Sequence, residues 1–226
     1  MKKLTVVGMG PGEYESMTLR AVKALNTCDV IVGYTVYVEL AKPYFPEKEF
    51  LTTPMKREIE RCEMAFAEAE KGRSVVMICS GDAGIYGMAG PILELAEKYP
   101  DVELEVIPGI TAALSGGAVL GAPLMHDFAV ISLSDLLTPW ELIEKRLRAA
   151  AQADFLIALY NPSSKKRKDY LARACDILLE YKEESIICGI VRNIAREEES
   201  MNILTLKELR NTEVDMFSTV YIGNKM

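Results

Sequence analysis

Histidine is almost absent from this chain: His126 is the only one among 226 residues. The five cysteines, Cys28, Cys62, Cys79, Cys175 and Cys188, are scattered, and no two form a CxxC pair. A structural zinc site takes about four nitrogen or sulfur ligands at short spacings, so no metal site is expected. A Ser-His-Asp hydrolase would have to be built on His126 alone. Positive charge is also short. Lys and Arg number 26 against 33 Asp and Glu, a formal net charge of −7, which excludes the broad basic field of a general nucleic-acid binder. The uncharged stretch at residues 110–125 is rich in Gly, Ser and Thr. It reads as buried helix and turn, not as a bilayer span of ~20 apolar residues. An odd cysteine count without a signal peptide reads as a reduced, cytoplasmic protein.

Half of the chain is apolar and 26% is charged, an ordinary globular composition with enough apolar side chain to build a core. Short β-branched runs alternate with amphipathic stretches. LTVVG (4–8), DVIVG (29–33), EFLTT (49–53), SVVMICSG (74–81) and ELEVIPG (103–109) read as strands with little alternation. Such strands, separated by helices, predict a parallel sheet covered on both faces. A helix is expected over about 56–71, with Met55, Ile59, Cys62, Phe66 and Ala69 on one stripe and Gly72 as its stop. A second series begins with DFAVISLS (127–134). TPWE follows, and it predicts a helix start with Thr138 as N-cap, Pro139 at the first position and Glu141 closing a capping box. Strands are expected at 154–160, 185–191 and in MFSTVYIGN at the end. The expected organisation is two α/β domains with mostly parallel sheets, residues 1–120 and 121–226. Trp140 and His126 are read as packing residues.

Three glycine-bearing loops follow three of these strands. GMGPG (8–12) is not a dinucleotide fingerprint. Glu13 stands where GxGxxG needs its third glycine, and Pro11 removes a backbone N–H from the loop. SGDAGIYGMAG (80–90) and PGITA (108–112) lie at the carboxyl ends of strands, where open α/β sheets bind ligands. Small side chains there let backbone approach a ligand closely, and Asp82 adds a carboxylate that can accept hydrogen bonds. Taken singly, each loop is also what a tight turn or a helix cap requires.

Together the three loops resemble the tetrapyrrole methylases over essentially the full chain. The resemblance implies two α/β domains and a cleft between them that takes S-adenosyl-L-methionine and releases S-adenosyl-L-homocysteine. GYTVY (33–37), SGDAGIYGMA, HDFAVISLSDLLTPW (126–140) and LYNPSSKKR (159–167) resemble the members that act in cobalamin synthesis. These methylate C-17 of precorrin-3B or cobalt-precorrin-3B with ring contraction. The nearest alternatives are a methyltransferase of the same fold acting on another precorrin carbon or on the diphthamide precursor. A nicotinamide-dependent oxidoreductase is disfavoured by Glu13 and Pro11. The resemblance implies cofactor contacts at Pro11, Ser80, Gly81, Asp82, Ile85, Tyr86, Thr111, Ala112, Asn161, Arg192 and Asn193. Ala83 stands where the loop usually carries proline. Tyr34 stands where relatives that methylate uroporphyrinogen carry an aspartate base, so that role does not transfer. Tyr34, Ser132, Ser134 and Asp135 remain candidates for acid assistance. No metal is required, because the sulfonium methyl is already activated. The resemblance also implies a homodimer with no nucleic-acid or membrane partner.

An acidic protein binding an acidic macrocycle needs local cations. Lys165, Lys166, Arg167 and Lys168 form the densest run, at an expected helix start where cations oppose the helix dipole. Lys166 and Arg167 are the expected substrate contacts, Arg167 through its ability to grip a carboxylate with two N–H groups.

Overall fold

The computed structural model describes residues 2–164 and 166–225. The chain forms two compact units, Met1–Ala112 and Ala113–Met226.

The first unit holds strands β1 (Lys3–Gly8), β2 (Val30–Tyr34), β3 (Glu49–Thr53), β4 (Ser74–Cys79) and β5 (Glu103–Ile107), with helices α1 (Leu19–Thr27), α2 (Thr35–Ala41), α3 (Glu58–Glu70) and α4 (Ala89–Leu95). The sheet order is β3-β2-β4-β1-β5 and every pairing is parallel. Side chains alternate across it. Leu4, Val6, Val75 and Met77 pack with Cys62, Ala65 and Phe66 on one face. Val7, Val76 and Ile78 pack with Ala21, Leu25 and Val38 on the other. Both faces are therefore dry, which is why these strands read as unbroken apolar runs. Phe66 is fully buried and stacks on Tyr99 at 4.3 Å; burying such a side chain contributes about 1.5–3 kcal/mol. In α1 the Thr18 hydroxyl accepts from the Ala21 N–H at 3.1 Å.

Helix α5 (Ala112–Val119) leads into the second unit. The unit boundary falls between Ala112 and Ala113, ahead of the expected seam after residue 120. The reason is packing: Gly116 lies against Tyr221, and Leu120 lies against Gly189, both in the second sheet. That sheet contains β6 (Phe128–Ser132), β7 (Leu156–Tyr160), β8 (Ile187–Arg192), β9 (Ser200–Thr205) and β10 (Ser218–Ile222). Its order is β6-β7-β10-β8-β9. Here β6 and β7 pair in parallel, while the three pairings among β7, β10, β8 and β9 are antiparallel. Helices α6 (Trp140–Gln152), α7 (Tyr170–Leu178) and α8 (Leu206–Leu209) cover one face.

Several local expectations differ from the structure. Helix α6 starts at Trp140 with Pro139 as N-cap and no side-chain cap hydrogen bond, so Thr138 and Glu141 form no capping box. The capping box is at α8, where Thr205 and Glu208 bond reciprocally. Met55 and Ile59 are exposed; the buried stripe of α3 is Arg61, Cys62, Ala65, Phe66 and Ala69. His126 is exposed and is not a packing residue. Trp140 is buried against Tyr170, with the Arg173 guanidinium 4.1 Å from its ring. Strand β9 and helix α2 were not anticipated. Strand β9 carries exposed Met201 and Ile203 next to Ser and Asn, and so lacks a buried-strand signature. Among the described residues, no helix is long and apolar enough to cross a membrane.

Candidate active site

Strands β4, β1 and β5 are neighbours, so the loops that leave their carboxyl ends are neighbours too. Gly10 and Gly81 exchange two backbone hydrogen bonds, Gly10 N–H to Gly81 O at 3.0 Å and Gly81 N–H to Gly10 O at 2.7 Å. Both have positive φ, +73° and +66°, a conformation that costs an L side chain about 1–2 kcal/mol. The third loop joins them closely. A Cβ on Gly109 would run into the carbonyl oxygen of Gly81 and come within 2.5 Å of that of Gly8. The Asp82 carboxylate completes the junction. One oxygen accepts from the N–H groups of Gly84 (2.8 Å) and Ile85 (3.1 Å), and the other accepts from Gly109 N–H (3.0 Å). Asp82 is thus a clamp that ties its own loop to the PGITA loop.

The structure brings together most of the expected first-unit contacts. Pro11 and Gly81 are buried, Ser80 and Asp82 half-buried, Thr111 buried and Ala112 half-buried, all on these three loops. Ile85 and Tyr86 stand out from the same edge, 40% and 56% exposed, with Tyr86 held at φ +54°. Tyr34 ends β2, beside β4, and caps α2. Its ring meets Tyr37 edge-on at 5.2 Å and lies 5.7 Å from the Arg61 guanidinium.

In the second unit, Ser132, Ser134 and Asp135 follow β6, and Asn161 and Arg167 follow its neighbour β7. The Ser132 hydroxyl oxygen accepts from Ser134 N–H (3.2 Å) and from Asn161 Nδ2 (2.9 Å). Asn161 adopts φ +52°, which an asparagine tolerates. The Tyr160 hydroxyl accepts from Ala113 N–H at 2.6 Å, and the Tyr221 hydroxyl donates to Ala113 O at 3.0 Å. Together they seat the start of α5 on β7 and β10. Arg192 and Asn193 stand apart from Asn161, because β10 lies between β7 and β8. The Arg192 guanidinium donates to Asp215 at 2.7 Å, and Asn193 adopts φ +52° with its N–H on Phe217 O at 3.2 Å.

The basic run corrects the sequence reading. Helix α7 begins at Tyr170, with Asp169 as N-cap, so these cations lie outside its first turn. Ser164 and Arg167 instead close a tight turn by paired backbone bonds. Arg167 is already engaged: its Nε donates to Asp135, whose other oxygen accepts from the Tyr170 hydroxyl at 2.7 Å. The Tyr170 hydrogen bond, with help from Arg167, holds the Asp135 carboxyl below the usual aspartate value. Asp135 is therefore an anionic anchor, unsuited to donating a proton near neutrality. Lys166 and Lys168 are exposed; Lys165 lies outside the described residues.

Sequence reasoning missed Arg61. It is 4% exposed, on α3, and donates to Thr53 Oγ1 (3.0 Å), Pro54 O (3.2 Å) and Met88 Sδ (3.6 Å). The available signal was its place beside Cys62 and Ala65 on the helix stripe that faces the sheet.

These features define a class. Residues 3–210 match the Tetrapyrrole (Corrin/Porphyrin) Methylases, and the chain belongs to this family of methyltransferases. In particular, it is 49% identical over 223 residues to the probable cobalt-factor III C(17)-methyltransferase of Salmonella typhimurium, covering 98% of this chain and 92% of the relative. It is 38% identical over 225 residues to the precorrin-3B C(17)-methyltransferase of a Sinorhizobium species, covering 98% of this chain and 88% of that one. The crystal structure of the methyltransferase CobJ superposes with a TM-score of 0.90 at 38% identity, covering 98% of this chain and 94% of that one.

Proposed function

We propose that this chain methylates C-17 of a precorrin-3B-type macrocycle in cobalamin synthesis, with ring contraction, and that its substrate is the cobalt-bearing form. The observation that carries the reading is the near-complete match to a relative named for cobalt-factor III, at 49% identity against 38% for the relative named for precorrin-3B.

S-Adenosyl-L-methionine, when bound, supplies a methyl group already activated by its sulfonium. The loops after β1, β4 and β5 suit it. Their small residues let a ligand approach the chain closely, and the exposed Ile85 and Tyr86 offer apolar surface for a flat base. In this reading Pro11, Ser80, Gly81, Thr111 and Ala112 line the site, and Asp82 holds its shape. Asn161, Arg192 and Asn193 contribute from the second unit, and Lys166 attracts the acidic macrocycle. The chain's chemical task is alignment of donor and acceptor carbon, which can supply ~7–11 kcal/mol of a barrier without any nucleophilic side chain. Cys79, beside the Gly-Asp loop, fits this view: burial pushes its thiol up to about 12, so it is an inert packing group.

The chain is proposed to act as a cytoplasmic homodimer. All five cysteines are free and buried. Ile187, Met201 and Ile203 share the side of β8 and β9 that faces away from α6, α7 and α8, each more than half exposed, an apolar face suited to a second copy. Light scattering is expected to give twice 25.1 kDa; the monomer mass would overturn the assembly.

The deciding experiment is anaerobic incubation with cobalt-factor III or precorrin-3B plus S-adenosyl-L-methionine, read by mass and by the position of the labelled methyl. One methyl on C-17, formed faster with cobalt-factor III, is expected. Methyl on another carbon would favour a different family member, and no turnover of either would overturn the reading.

A further inference from the structure

Arg61 is a buried cation without a counter-charge. Arginine is almost never fully buried unless paired, and an isolated charge in a protein interior is strongly penalised. Yet among the described residues no carboxylate lies within ion-pair distance of it, and its acceptors are a hydroxyl, a backbone carbonyl and a thioether. The nearby thiols do not serve as anions: burial pushes Cys62 up to about 11 and Cys79 up to about 12. Its place on α3 adds to the problem. Arg61 is the fourth residue of the helix, near the end where the helix dipole is positive and a cation is disfavoured. The Tyr34 ring, 5.7 Å away, offers only its π-face.

The surroundings place this cation at the ligand-binding edge of the sheet. Thr53 ends β3, Tyr34 ends β2, and Met88 directly follows the SGDAGIYG loop beyond β4. These three strands are neighbours. The guanidinium has five N–H donors, and three acceptors occupy it. The weakest is the Met88 sulfur at 3.6 Å, on a flexible side chain. A carboxylate that displaces it would gain two parallel charge-assisted bonds, the geometry for which guanidinium is suited.

We propose that Arg61 is a substrate-binding residue, kept without a carboxylate partner among the described residues so that one acetate or propionate carboxylate of the acidic tetrapyrrole completes the pair beneath Tyr34. The inference rests on the proposed function and deepens it. It moves the main carboxylate contact from Arg167, which Asp135 already holds, to the first unit. It also accounts for how a chain of net charge −7 takes an acidic substrate: the compensating charge lies inside the site and is screened little by salt.

The test compares wild type with Arg61→Met, which keeps the length and removes the charge, and Arg61→Lys, which keeps the charge and removes the fork. Three readouts are taken: thermal midpoint without ligand, calorimetric binding of S-adenosyl-L-homocysteine, and KM and kcat for cobalt-factor III and for its carboxylate-esterified form. Arg61→Met is expected to melt at or above the wild-type temperature, because an uncompensated buried charge has gone. Its affinity for S-adenosyl-L-homocysteine should stay near wild type. Its KM for the acid tetrapyrrole should rise roughly tenfold or more, with the loss on KM rather than kcat. Arg61→Lys should recover part of that loss, and the esterified tetrapyrrole should bind wild type and Arg61→Met alike. A lower melting temperature with parallel loss of S-adenosyl-L-homocysteine binding in both variants would make Arg61 structural and overturn the inference. So would an unchanged KM, or equal losses for acid and ester. A wild-type chain that neither binds nor methylates the tetrapyrrole overturns the proposed function, and the inference with it; wild-type turnover with an indifferent Arg61→Met overturns the inference alone.

Discussion

The two units hold their functional loops by different means. At the edge of the first sheet, loops after β1, β4 and β5 are joined main chain to main chain, and the Asp82 carboxylate in the junction accepts from three backbone N–H groups. At the edge of the second sheet, side chains do the joining. Asp135 spans to Arg167 and Tyr170, Asn161 to Ser132, and Tyr160 to the backbone of Ala113. A backbone junction needs glycine because any Cβ would occupy the space of a carbonyl. A side-chain junction needs particular polar partners but leaves the backbone ordinary. The first arrangement ties main-chain groups to one another, and the second leaves apolar tips such as Leu137, 96% exposed.

The contrast can be broken most severely at Gly109. Gly109→Ala places a Cβ against two backbone carbonyls that cannot move independently; a loss of about 3 kcal/mol or more is expected, with loss of S-adenosyl-L-homocysteine binding. Gly90→Ala is the matched control. Nothing lies within 4 Å of its Cβ position and it sits in α4, so a small gain of about 0.5–1 kcal/mol is expected in thermal melting. Equal losses at both positions would mean that close loop approach is not what selects glycine at residue 109.

Asp82→Ala comes next. It strands the N–H groups of Gly84, Ile85 and Gly109, so about 1.5–3 kcal/mol of stability is expected to go, with weaker S-adenosyl-L-homocysteine binding in step. A fall in affinity without any fall in melting temperature would instead make Asp82 a direct ligand contact. Tyr160→Phe tests the second style of junction. One hydroxyl acceptor is lost from Ala113 N–H, and about 1 kcal/mol is expected.

Asp135 gives the pH signature of the second unit. Its carboxyl is held below the usual value of 3.8, first by the Tyr170 hydroxyl and then by Arg167. A depressed folded pKa contributes stability that is present above the unfolded value and lost as pH falls through the folded one. The melting difference between wild type and Asp135→Asn should therefore be full near neutral pH, begin to shrink below 3.8, and vanish once the wild-type carboxyl is protonated. A pH-independent difference would mean that shape, not charge, holds this loop.

The smallest stability effect is expected from Lys166→Glu, at an exposed site: within about 0.5 kcal/mol of wild type, with a modest, salt-sensitive rise in KM for the tetrapyrrole. Arg167→Glu should differ from it by melting earlier, because it sets two carboxylates, Asp135 and Glu at 167, against each other. Matching behaviour would return Arg167 to the substrate surface.

Much of the fold was legible because buried parallel strands leave a one-dimensional trace. LTVVG and EFLTT became β1 and β3 almost residue for residue, and SVVMICSG became β4 without its last two residues. Strand β9 left no such trace, since SMNILT is largely exposed. The helix start at TPWE was misplaced by one position because Pro139 can precede a helix as readily as open it, and only the hydrogen bonds of α6 distinguish the two.

The same division runs through the site. The glycine loops, the acidic balance and the scarcity of histidine are properties of composition and order, and by themselves they pointed to the strand ends as the place to look for ligand chemistry. Which loops became neighbours was decided by the sheet order β3-β2-β4-β1-β5, which places the ends of β1, β4 and β5 side by side though they lie far apart in sequence. Charge was decided in the same way. In the linear chain Arg167 stands in a conspicuous basic run and Arg61 stands among glutamates. Folding pairs Arg167 with Asp135 and buries Arg61 beside Thr53, Pro54 and Met88. A charge is available to a ligand only if its own protein has not neutralised it, and that depends on distances that only the tertiary structure sets.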